Sequence, residues 1–84
     1  MSSLVLRIKF PETFPVIYKT VRLESHITVH DALLIIAEAA HMSYEDGYTI
    51  YIPDVKLFLD ETKPLNEYPQ LREEVNIFLF YFLI

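Results

Sequence analysis

Between residues 28 and 41 the apolar side chains recur every three or four positions, and this is the feature that most limits the folds open to the chain. Val29, Ala32, Leu33, Ile36 and Ala40 form one stripe, while His30, Asp31, Leu34, Glu38 and His41 lie away from it. That spacing predicts a single amphipathic helix. Thr28 suits its N-cap, and Asp31 stands three residues on, as in a capping box and at the positive end of the helix dipole. The helix is expected to end near His41 or Met42. One helix cannot bury its own stripe, so the flanking segments must supply the opposing surface.

Those segments read as strands. From Val5 onward Leu4–Phe10 alternates, with Leu6, Ile8 and Phe10 on one face and Val5, Arg7 and Lys9 on the other. Pro11 stops it, because proline cannot donate to a ladder. Pro11–Ile17 is a connection longer than the usual hairpin loop of about 2–5 residues. Strand character resumes over Tyr18–Leu23, with Val21 and Leu23 toward the core and Thr20 and Arg22 toward solvent. After the helix, Ser43–Gly47 is a polar connection and Tyr48–Ile52 a third strand. Pro53-Asp54 turns the chain into a short fourth strand, Lys56–Leu59. Asp60–Leu71 reads as a long ordered loop with one short helical turn, and Val75–Leu83 as the last strand. The fold class is α+β, in the order ββαβββ, with one helix packed on a mixed sheet.

The stretch Leu57-Phe58-Leu59-Asp60-Glu61-Thr62-Lys63-Pro64-Leu65-Asn66-Glu67-Tyr68 resembles a stretch of the ubiquitin superfold, an α/β-roll or β-grasp. In that family a short fourth strand runs into a polar turn, a leucine packs under the sheet, and a tyrosine hydroxyl ties the loop to its own backbone. Leu65 and Tyr68 stand at those positions, and Thr28 falls where the family caps its helix. The resemblance covers essentially the whole chain. Within the superfold it is similar to the N-terminal ubiquitin-like modules of talin and kindlin, and the long first connection is similar to that of formin GTPase-binding domains. It implies a cytoplasmic recruitment module of an actin regulator, drawn to the plasma membrane or cell cortex by small GTPases, lipids or other domains of its own chain. Residues 1–84 are then one ubiquitin-like domain at the N-terminus of a larger protein. Two departures stand out. Ubiquitin ends in a diglycine tail, whereas this chain ends Tyr81-Phe82-Leu83-Ile84. Ras-family binders of this fold place lysine or arginine on the helix, where this chain has Asp31, Glu38 and, as possible cations, His30 and His41.

Composition narrows the function classes. Gly47 is the one glycine, so glycine-rich phosphate loops are excluded. There is no cysteine, which excludes disulfides, thiolate metal sites and cysteine nucleophiles. No signal peptide is visible at Met1-Ser2-Ser3. Residues 77–84 are apolar over eight positions, against the about 20 needed for a membrane-spanning helix. The net charge of −5 is unevenly spread: residues 1–22 carry four bases and one acid, and residues 23–84 three bases and eleven acids. Nucleic acid is thereby disfavoured as a partner of the whole domain. Serines 2, 3, 25 and 43 show no nucleophile signature and the acids are scattered, so no catalytic site is expected. His30 and His41 are eleven residues apart, about 16 Å along a helix at 1.5 Å per residue. That is too far for two ligands of one ion, so no metal or cofactor is expected.

Three candidate surfaces remain. The first is the basic edge, Arg7, Lys9, Lys19 and Arg22. Guanidinium forks suit the carboxylates of a GTPase switch or the phosphates of a phosphoinositide. The plainer reading is edge-strand protection by charge. The second is an apolar sheet face of Tyr51, Phe78, Phe80 and Phe82, either a protein interface or a face covered by a following domain of the parent protein. The third is the loop carrying Phe14, Val16 and Ile17, which either dips into a membrane interface or folds back beside the sheet. The isolated domain is expected to be a monomer.

Overall fold

The structure, a computed structural model, describes residues 3–12, 14–43, 48–72 and, by their backbone, 77–81. Two strands open the chain, β1 (Ser3–Lys9) and β2 (Tyr18–Glu24). They pair antiparallel with Leu4 opposite Leu23 and Leu6 opposite Val21. Opposed residues share a face. This register therefore gathers the apolar residues of both strands on one side and leaves the alternate residues exposed on the other. The long connection closes tightly: the Phe10 N–H donates to the Ile17 carbonyl at 2.9 Å, and the Phe14 N–H to the Pro11 carbonyl at 3.0 Å.

The helix α1 spans Val29–Ala39. Its first N–H groups all find acceptors. The Asp31 N–H donates to the Thr28 hydroxyl at 3.1 Å. The Val29 and His30 N–H groups donate to the carbonyls of Lys63 and Glu61 at 2.9 and 3.0 Å. The helix start is thus moored in the Asp60–Leu71 loop. The helix ends at Ala39, two to three residues before the expected His41 or Met42. His41 enters the left-handed region at φ 58° and reverses the chain. The Met42 N–H then donates to the Ala37 carbonyl at 2.9 Å and the His41 N–H to Glu38 at 3.0 Å, a Schellman closure usually built with glycine.

The remaining strands are β3 (Tyr48–Ile52), β4 (Leu57–Phe58) and β5 (Ile77–Tyr81). The five form one mixed sheet in the order β2-β1-β5-β3-β4, with β1 and β5 parallel and every other neighbour antiparallel. β4 is shorter than the expected Lys56–Leu59. A 3₁₀ turn, Pro53–Val55, leaves through Lys56 at φ 52°, which keeps that residue out of the ladder. Leu59 still donates its N–H to the Ile50 carbonyl at 3.0 Å. The loop that follows holds two 3₁₀ turns, Leu65–Glu67 and Pro69–Arg72, where one was expected. Of the expected last strand, Val75, Asn76, Phe82 and Leu83 lie outside the described residues.

The helix lies across one face of this sheet. Val29, Leu33 and Ile36 meet Leu6, Ile8 and Ile50, all fully or almost fully buried. Each such side chain contributes roughly 1.5–3 kcal/mol of transfer free energy. Leu65 is also fully buried, which closes the core beneath the loop.

Candidate functional site

Among the described residues the helix covers one face of the sheet, and the hairpin strands turn their other face to solvent. On the β1–β2 hairpin that face carries Ser3, Val5, Arg7 and Lys9 beside Tyr18, Thr20, Arg22 and Glu24, all exposed. Three are cations and one is an acid, and that acid, Glu24, sits 3.3 Å from the His26 imidazole. Arg7 stands opposite Thr20 and Arg22 opposite Val5. The two arginines are therefore diagonal neighbours, about 7–8 Å apart at the backbone. No ion pair forms to either among the described residues. The Arg7 guanidinium lies 4.3 Å over the centroid of the Tyr18 ring. Such a contact holds a cation in place at an exposed site for about 0.5–1 kcal/mol. Arg7 is thus oriented along the surface, with its charge still presented outward.

The four expected cations do not all share this face. Lys19 pairs with Ile8, a buried residue, so it belongs to the helix side of the sheet and is only half exposed. Nor are all four on an edge: β1 is interior, between β2 and β5, and only Lys19 and Arg22 lie on the β2 edge. The candidate site reduces to Arg7, Lys9 and Arg22, joined by Val5 and Tyr18. The alternation of β1 and β2 already placed Val5 with Arg7 and Lys9. Tyr18 went unremarked because its role appears only once the register sets it diagonal to Arg7.

The other candidates fare differently. Tyr51 pairs with Phe58, and their rings stack tilted with centroids 4.4 Å apart. Phe58 belongs to this aromatic corner, which its place in a short strand does not announce. The backbone register sets Phe78 opposite Tyr51 and Phe80 opposite Thr49. The side chains of Phe78 and Phe80, and the whole of Phe82, lie outside the described residues. In the first loop, Phe14 and Val16 pack back against the core. Phe14 stacks on Phe10 at 5.6 Å and meets Tyr48 edge-on at 5.5 Å. Of the two readings open for this loop, folding back beside the sheet describes Phe14 and Val16, while Ile17, 70 % exposed, stays outside. The reason is geometric, since the Phe10–Ile17 hydrogen bond folds the loop against the sheet end.

His30 lies 3.6 Å from Asp31. No cluster of three or more His, Cys, Asp or Glu able to hold a metal occurs among the described residues. Among them, too, no helix is long and apolar enough to cross a membrane. The Asp60 carboxyl titrates below its ordinary range, because it accepts from both the Thr62 hydroxyl, at 2.7 Å, and the Thr62 N–H, at 2.9 Å. That knot is structural: it shapes the loop that moors the helix. The outward hairpin face, by contrast, can bind anions by charge and apolar groups by contact.

No protein-family profile matches the chain, and no curated protein sequence does. A solved NMR structure of the Arabidopsis thaliana protein At2g32350 is similar to it in three dimensions, with a TM-score of 0.69 and 21 % identity, over 100 % of this chain and 92 % of that one. At that identity the likeness concerns the fold alone, a small α+β domain.

Proposed function

We propose that the chain is a ubiquitin-like α/β-roll serving as a non-catalytic recruitment module of an actin-cytoskeleton regulator, and that it binds a small GTPase of the Rho or Ras family through the outward face of the β1–β2 hairpin. The observation that carries the reading is the cluster of Arg7, Lys9 and Arg22 on one exposed face beside the open β2 edge. In a chain of net charge −5, gathering cations there creates a field that attracts an acidic partner surface, chiefly by raising the on-rate and fixing orientation. The actin context comes from the sequence resemblance. Calorimetric titration with GTP- and GDP-loaded GTPases tests it. Binding of a GTP-loaded form that is lost in the Arg7→Glu, Arg22→Glu double variant supports the reading. No heat for any Rho or Ras member at about 100 μM, a binding free energy weaker than roughly −5.5 kcal/mol, removes that partner class.

A second reading is attachment to an anionic membrane, and Ile17 favours it: a strongly exposed isoleucine at the end of the hairpin offers an apolar contact. Three cations near an anionic leaflet contribute about 1 kcal/mol each, which is weak attachment unless a second contact is present. Flotation with phosphoinositide-containing and neutral liposomes separates the two readings.

A further inference from the structure

The helix carries a second stripe that the core does not use. Asp31, Leu34, Ile35 and Glu38 are spaced i, i+3, i+4 and i+7, so they form one continuous row along α1. All four are exposed, and Leu34 and Ile35 are each 41 % accessible. Single exposed apolar residues are ordinary. An adjacent leucine–isoleucine pair bracketed by two carboxylates is a patterned surface, apolar in the middle and acidic at both ends. Its N-terminal end also meets His30, which lies against Asp31, and the exposed Glu61 and Lys63 of the mooring loop.

The hairpin face has the complementary pattern. Val5 and Tyr18, 58 % and 47 % exposed, sit among Arg7, Lys9 and Arg22. The two surfaces occur on the same molecule but on opposite sides of it. The helix covers the inner face of the sheet, its acidic row looks away from the sheet, and the basic face is the sheet's other side.

We propose that copies of this chain associate head to tail, the basic hairpin face of one seated on the Asp31–Leu34–Ile35–Glu38 row of the next. Because the two faces differ and lie opposite one another, the contact is heterologous and does not close into a symmetric dimer. It extends into a short stack. Each contact pairs two apolar groups with two and opposes cations to carboxylates, so it falls in the small, weak interface class with a Kd of about 10 μM to 1 mM. Like net charge on the copies opposes the stack and local complementarity favours it, which makes the assembly sensitive to salt. The association does not depend on GTPase binding. It uses the same basic face, so an acidic partner and a second copy compete for it.

Sedimentation velocity of the whole chain without any partner tests this. The wild type gains average mass with concentration up to about 1 mM, without a plateau at the dimer, and returns to monomer in strong salt. Two variants then separate the faces: Arg7→Glu, Arg22→Glu removes the basic face, and Ile35→Lys, Glu38→Lys disrupts the acidic row while leaving Asp31 and the Thr28 cap in place. Each alone is monomeric, with unchanged far-ultraviolet dichroism. Mixed, they form a complex that stops at one to one, since each supplies the face the other lacks. The milder Leu34→Gln variant weakens self-association of an otherwise wild-type chain about tenfold. A wild type that stays monomeric, a plateau at the dimer, or a mixture that shows no complex overturns the proposal. GTPase titration is read in a separate experiment, so either idea can fail without the other.

Discussion

The Tyr68 hydroxyl accepts the backbone N–H of Asp60 across 2.8 Å, joining two residues eight positions apart. Between them run the carbonyls of Glu61 and Lys63, which take the first helix N–H groups, and Leu65, whose own N–H donates to Ile27. The hydroxyl therefore holds the loop that holds the helix. Tyr68→Phe keeps the ring and removes this acceptor. Stability is expected to fall by about 0.5–1.5 kcal/mol, measured as the urea midpoint at constant m. An unchanged midpoint would show that water replaces the hydroxyl without loss.

Asp60 makes the same loop respond to acid. Its two bonds from Thr62 favour the carboxylate, so its folded pKa lies below the unfolded one. The contribution is complete above the ordinary carboxylate range and is lost as pH falls through the lowered value. The amide resonance of Thr62 is expected to titrate with a midpoint below the usual aspartate value of about 3.9. It should not titrate in Asp60→Asn. A midpoint at or above the usual value contradicts the hydrogen-bond account.

The two helix ends predict opposite effects. Thr28→Ala removes the cap of the Asp31 N–H and is expected to cost about 1 kcal/mol. His41→Gly relieves a side chain held at positive φ, worth roughly 1–2 kcal/mol, against an unfolded-state entropy gain of about 0.4–1 kcal/mol. The net expectation is a small stabilisation, seen as a rise in melting temperature of a few degrees. A drop on His41→Gly would show that the imidazole makes a contact that outweighs its backbone strain.

Leu65→Ala removes a fully buried side chain and opens a cavity beneath the loop. A loss of about 2–5 kcal/mol is expected, by chemical denaturation. A loss below about 1 kcal/mol would place Leu65 in a site that collapses on truncation.

Much of this fold was legible in the chain. Residues 29–40 carried the helix in their spacing, and Leu6, Ile8, Val21 and Leu23 carried the buried face of the hairpin in their alternation. Thr28 announced the cap. What was hidden depended on backbone choices that side-chain patterns do not record. His41 and Lys56 take positive φ without being glycine, and they shorten the helix and the fourth strand. The site was legible in its charges and, by alternation, in the shared face of Arg7, Lys9 and Arg22. Counting bases also found Lys19, yet it stands three residues from Arg22, an odd separation that puts the two on opposite faces of β2. Phe14, Val16 and Ile17 left two readings open because apolar loop residues carry no sign of which way the loop folds. Tyr18 and Phe58 were missed for the converse reason, since each gains its place only from a partner on another strand.

The central claim is that recognition occurs on the outward face of the β1–β2 hairpin. Amide shift mapping of the labelled chain against a GTP-loaded small GTPase tests it most directly. The account predicts perturbations at Val5, Arg7, Tyr18, Thr20 and Arg22, weakened by salt and absent in Arg7→Glu, Arg22→Glu. Perturbations confined to the helix row or to the Tyr51–Phe58 corner, with the hairpin silent, would contradict it.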